Sequence, residues 1–163
     1  MRKLLSNGLA VFAGVVSMPI AGTPADSPKP TAAEHRNEPV KDRRLTFLRT
    51  FFEQGNCPAA KLSPIFLEVA DRYRLDWRLL PSLSFVETTG GKAARNNNIF
   101  GWDSGKAAFS SAAAGIRAVA SYLSQSALYR NKDVDGILRT YNRRPGYGNR
   151  VKDVMRQIAP AVD

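Results

Sequence analysis

Two residue types that many enzymes depend on are almost missing from this chain. It has one histidine, His35, and one cysteine, Cys57. A lone cysteine permits no internal disulfide, so the core must hold the fold; Cys57 itself reads as a small buried apolar residue. His35 stands in a stretch, residues 26–43, that carries three prolines, many charges and almost nothing apolar. Such a composition cannot bury enough surface to fold and predicts a disordered linker. The folded domain is expected over the remaining residues 44–163, where there is no histidine at all. A Ser-His-Asp triad, a Cys-His pair and a histidine-based zinc site are thereby excluded. Carboxylates, tyrosines and hydroxyls remain to do chemistry, and no cofactor or metal is expected.

Alternating apolar and polar runs are also lacking, which argues against strands and for a mainly α domain. The one long apolar run, Leu4 to Ile20, follows Arg2 and Lys3 and precedes the small residues Ala21 to Ala25. That order predicts a signal peptide over residues 1–25, with export to the periplasm or the extracellular space. The run is short for a membrane span, which needs roughly 20 apolar residues, and Asn7, Ser17 and Pro19 interrupt it. No membrane attachment is expected after cleavage, and no cysteine follows the run to carry a lipid. The net charge of +10 falls to +8 once Arg2 and Lys3 leave. That balance favours polyanions in general. The basic residues are spread in small groups without a recognised nucleic-acid motif, so no nucleic acid is expected as partner, and the protein is expected to be a monomer.

Within the domain, an apolar-rich helix is expected from Arg44 to Gln54, ending at Gly55. Ser63-Pro64 reads as the start of a second helix, with Ile65, Phe66, Val69, Ala70 and Tyr73 facing the core. Ser111 and Asp133 read as N-caps of two later helices, with stripes Ile116-Val119-Ala120-Leu123 and Val134-Ile137-Leu138-Tyr141. A last helix carries Val151, Val154, Met155 and Ile158.

The centre of the sequence is the stretch from Asp76 to Trp102. Asp76 reads as an N-cap, Pro81 as a break in one backbone bond that bends the helix, and Gly90-Gly91 as the stop. Leu80, Leu83 and Glu87 share one stripe, so Glu87 is expected to face inward at the end of a buried helix. Desolvation and the negative end of the helix dipole both disfavour an ionised carboxylate in such a place, which suits general-acid chemistry. The plain alternative is an ordinary ion pair with Lys92 or Arg95. The following segment, Thr88 to Phe109, is rich in Gly, Asn, Lys and Ser and is the expected source of substrate-contacting loops. Asn98, Phe100, Gly101, Trp102 and Asp103 are its candidate contacts, with Phe100 and Trp102 able to turn a face to a sugar ring. Asp103 is the only acid in the segment after Glu87. Taken by its stripe alone, Tyr141 reads as a core tyrosine; Tyr147, just after the Asn142 to Gly146 turn, is a further candidate contact.

Several of these pieces occur together, and in order, in the bacterial glucosaminidase branch of the lysozyme-like superfamily, which the chain resembles from about Ala59 to Ala159. The matching residues are Glu87, Gly91-Lys92, Asn97-Asn98-Ile99-Phe100-Gly101, Phe109, the Tyr129 segment, and Tyr141 through Tyr147 to Val151. The resemblance implies a lysozyme-like helical domain with a short loop-rich or minimal β lobe. It also implies a secreted peptidoglycan hydrolase: a cell-wall glycosidase with Glu87 as general acid and Tyr141 projecting toward it. Two features depart from the branch. Glu87-Thr88-Thr89 replaces the usual Glu-Ser-Gly, and Tyr141-Asn142 with Pro145-Gly146 looks equally like the turn of lytic transglycosylases. A lytic transglycosylase and a wall-binding module without turnover therefore stand as the alternatives.

Overall fold

In a computed structural model of the chain, residues 42–160 are described. The expected signal peptide, and the linker up to residue 41, lie outside them. The described residues are mainly α, with six α-helices, one 3-10 turn and no strand. A lone antiparallel bridge between Arg95 and Asn98 is the nearest approach to a β lobe among them.

Helix α1 (Arg43–Gln54) starts one residue before the expected position, because the Asp42 carboxylate accepts the Arg44 N–H at 2.9 Å and caps it. The last two residues assigned to the linker thus belong to the folded unit. The Arg44 guanidinium also grips Asp71, on α2 (Ser63–Tyr73), at 2.6 and 2.9 Å. Ser63 does not cap α2 as expected. A 3-10 turn over Pro58–Leu62 runs straight into the helix, so Ser63 already has helical angles, and its hydroxyl donates back to the Ala60 carbonyl at 2.8 Å.

A similar correction applies to α3 (Leu79–Thr88). Asp76 lies ahead of the helix and folds the chain into a tight turn, accepting the Arg78 backbone N–H at 2.9 Å and its guanidinium at 2.7 and 3.0 Å. Because the helix begins at Leu79, Pro81 is its third residue. A backbone N–H there would have no helical partner, so the proline removes no bond and gives no reason for a bend. Leu79, Leu80, Ser82, Leu83 and Ser84 are all buried, which makes α3 the helix around which the rest is arranged.

Helix α6 (Tyr147–Ile158) packs along α3, α5 (Val134–Tyr141) packs on α6, and α4 (Ala112–Gln125) packs on α2. Ser111 and Asp133 cap α4 and α5 as their sequence positions suggest, accepting from Ala114 at 3.1 Å and Gly136 at 2.7 Å. Leu48, Phe52, Phe66, Leu83, Ile116, Leu138 and Val151 meet in one core, which also buries Cys57. None of the described helices is long and apolar enough to cross a membrane.

Candidate active site

Glu87 occupies the last turn of α3, and the way that helix ends decides what surrounds it. Thr89 and Gly90 both take left-handed angles, φ 54° and 61°, so their N–H groups turn back to the Phe85 and Ser84 carbonyls at 2.9 and 3.1 Å. Gly90 is needed for space as well as angle: a Cβ there would lie 2.7 Å from the Cys57 Cβ. Thr88 then secures the returning loop. Its buried hydroxyl donates to the Ile99 carbonyl at 2.7 Å, shares that proton with Ser84 at 3.1 Å, and accepts the Gly91 N–H at 3.1 Å. A hydroxyl in this position performs a structural task, so the departure to Thr88-Thr89 leaves the loop tied down.

The loop passes back across the end of α3 and opens a cleft of about 970 Å³ whose lining includes Glu87, Gly101, Trp102, Asp103, Tyr122 and Tyr141. Gly101, at φ 58°, faces the carboxylate. A Cβ there would sit 3.4 Å from Glu87 Oε2, so glycine keeps that oxygen open. Trp102 is half-buried and meets Tyr122 edge-on at 5.3 Å and Tyr141 at 5.7 Å. Asp103 lies exposed on the rim.

Two expected contacts, Asn98 and Tyr147, lie outside the cleft lining, while Phe100 borders it. Asn98 is 3% exposed, and its amide donates to the Trp102 and Ala107 carbonyls at 2.9 and 3.1 Å while accepting the Trp102 N–H at 2.8 Å. It braces the loop from inside. The Phe100 ring is buried, and its carbonyl accepts the Tyr141 hydroxyl at 2.8 Å. Tyr147 is 1% exposed and its hydroxyl donates to Glu87 Oε1 at 2.5 Å. The phenol that holds the acid is therefore Tyr147, at the start of α6, while Tyr141 is anchored on the loop and stacks within 10° of parallel on Tyr147 at 6.0 Å. A stripe of spacing cannot separate two tyrosines six residues apart on different helices; only the packing of α6 on α3 does.

Burial raises both phenols above their ordinary pKa, and the nearby Glu87 carboxylate adds to it through its charge and, for Tyr147, through the hydrogen bond. Both keep their protons at physiological pH and act as donors. Neither Lys92 nor Arg95 pairs with Glu87, which has no ion-pair partner among the described residues. The site is thus a carboxyl with one oxygen held by a tyrosine and the other facing an aromatic-walled cleft. No group of three or more His, Cys, Asp or Glu side chains gathers among the described residues to suggest a metal site.

Tyr122, Tyr129, Asn142 and Arg144 also line the cleft and were not among the expected contacts. For Tyr122 a signal exists in the sequence: it is an aromatic residue off the Ile116-Val119-Ala120-Leu123 stripe of α4, and in the structure it is 45% exposed.

Compared with known proteins, the chain matches no family model, no curated protein and no solved structure.

Proposed function

We propose that this chain is an exported, lysozyme-like enzyme that cleaves β-1,4 bonds in the glycan strand of peptidoglycan, as a β-N-acetylglucosaminidase with Glu87 as its single general acid and base. The observation that carries the reading is the Glu87 carboxyl itself: Oε1 is fixed by Tyr147 and Oε2 faces a cleft walled by Trp102, Tyr122 and Tyr141. Aromatic faces suit the apolar faces of sugar rings, and an acid positioned without a neutralising cation suits proton transfer.

In the proposed step, protonated Glu87 gives its proton to the bridging oxygen as the bond from that oxygen to the sugar C1 breaks. The carbonyl oxygen of the substrate's own 2-acetamido group closes on C1. Water then attacks C1, gives a proton to Glu87 and restores the acetamido group. Two-carboxylate glycosidases need a second acid beside the ring. Asp103 lines the same cleft and is the residue to test for that part.

A transglycosylase remains the second reading, because Asn142 from the Tyr141 to Gly146 turn borders the cleft where the sugar 6-hydroxyl would attack in place of water. The wall-binding reading rests on the Thr88-Thr89 departure; the bonds from Thr88 to Ile99 and Gly91 favour the catalytic reading over it.

Mass spectrometry of peptidoglycan digested by the protein tests the proposal. Products with reducing-end GlcNAc are expected. Anhydro-MurNAc ends would replace it with the transglycosylase, reducing-end MurNAc would make it a muramidase, and binding without soluble products would make it a module.

A further inference from the structure

The Glu87 cleft does not end at its aromatic wall. Asn142 and Arg144 line it and also line a second groove of about 520 Å³ over the turn between α5 and α6. Four cations border that groove: Arg139, Arg143, Arg144 and Lys152. Its one acid, Asp135, is already paired with Lys152 at 2.8 Å. The three arginine side chains make no ion pair or hydrogen bond with any described residue and are exposed. Arg139 and Arg143 also border an adjoining hollow of about 510 Å³ that adds Lys132, bonded to Thr140, and Asp133, whose carboxylate caps α5 by accepting the Gly136 N–H. The result is a polar trough that shares Asn142 and Arg144 with the cleft and in which cations outnumber acids.

Neutral sugar rings give no reason for such a trough. Guanidinium groups left free of internal partners are matched to oxyanions, carboxylates and phosphates alike, through paired N–H donors, and carboxylates are the anions carried on the side branches of a cell-wall glycan. We infer that the Arg139–Arg143–Arg144 groove is an accessory subsite for carboxylates carried on side branches of the polymer whose backbone lies in the Glu87 cleft. Resting on the proposed function, those branches are the peptide stems of peptidoglycan, so the enzyme selects stem-bearing over stripped glycan. Arg144, shared by both cavities, marks where a branch leaves the cleft.

The test uses the double variant R139A/R143A, which leaves every cleft-lining residue in place and alters only exposed side chains. Cleavage is measured on intact peptidoglycan and on the same glycan freed of its stems by an amidase. Wild type is expected to show a KM about five- to tenfold lower on intact material, an effect of the size that a few exposed ion pairs supply, and to lose that advantage near 0.5 M salt. The double variant should lose the advantage while matching wild type on stripped glycan. Equal KM for wild type on both substrates, or an unchanged preference in R139A/R143A, would overturn the inference and leave the catalytic reading intact. Should wild type release no product from either, binding to both glycans immobilised on beads through their reducing ends reads the same preference without turnover: stem-dependent binding lost in R139A/R143A upholds the subsite, and stem-independent binding rejects it. Teichoic acid removed or retained in both preparations separates wall phosphate from stem carboxylate; a preference that follows the phosphate also rejects the assignment.

Discussion

The two ends of α3 each present a carboxylate, and the fold treats them in opposite ways. Asp76, just before the helix, has both oxygens engaged by Arg78, whose guanidinium also donates to the Ala159 carbonyl at 3.1 Å and ties the end of α6 to this corner. Glu87, in the last turn, has one oxygen on a tyrosine and the other open to a cleft, with no cation beside it. A carboxylate neutralised by its nearest neighbour is construction. One that is held in place but left without a cation is the arrangement on which the proposed proton transfer rests.

If that contrast is right, changes at the Glu87 end should fall into those that damage the scaffold and those that damage chemistry alone. The largest scaffold effect is expected from Gly90→Ala. It combines a left-handed backbone position with a Cβ clash against Cys57, for a loss of about 2–4 kcal/mol in urea unfolding. A loss below about 1 kcal/mol would mean that the helix end has room to relax.

Tyr147→Phe comes next. It removes the bond to Oε1 and leaves the packing, so kcat should fall about 10- to 100-fold, the size of a lost charge-assisted hydrogen bond. KM should stay the same, because Tyr147 is buried and does not reach the cleft surface. A raised KM with unchanged kcat would return Tyr147 to substrate contact.

The smallest effect belongs to the other end. Asp76→Asn should leave cleavage untouched and cost about 1–2 kcal/mol at neutral pH. Burial alone would push the Asp76 carboxyl up, but the hydrogen bonds and charge of Arg78 outweigh it and hold the folded-state value below the usual carboxylate range. A lowered folded-state pKa contributes stability that is fully present above the unfolded value of about 3.9 and is lost as pH falls through the folded one. The stability gap between wild type and Asp76→Asn should therefore be constant above about pH 5 and close in acid. A gap that grew toward low pH would contradict the pairing.

The helical content was legible because stripes and caps coincide. Ser111 and Asp133 stand where helices begin, and the buried residues of α4 and α6 fall at the expected spacing. The misread starts share one cause. Asp76 and Ser63 bond locally within a turn, and a side chain that can cap a helix can equally close the turn before it. At the site, the glycine-rich loop and the terminal Glu87 were visible in one dimension. That Tyr147 rather than Tyr141 bonds Glu87 was not, because it depends on how α6 lies against α3, nor was the inward turn of Asn98, whose partners Trp102 and Ala107 meet it only once the loop closes. The basic trough was likewise visible only as small scattered basic groups; Arg139 and Lys152 join Arg143 and Arg144 across the turn between α5 and α6, which sequence spacing does not bridge.

The account stands on the open oxygen of Glu87, and Glu87→Gln tests it most directly. Oε1 keeps an acceptor for Tyr147 in the amide, so the variant should unfold like wild type while its release of soluble fragments from purified peptidoglycan falls about a thousandfold or more. Lysis by a folded Glu87→Gln protein at anything near the wild-type rate would contradict the assignment.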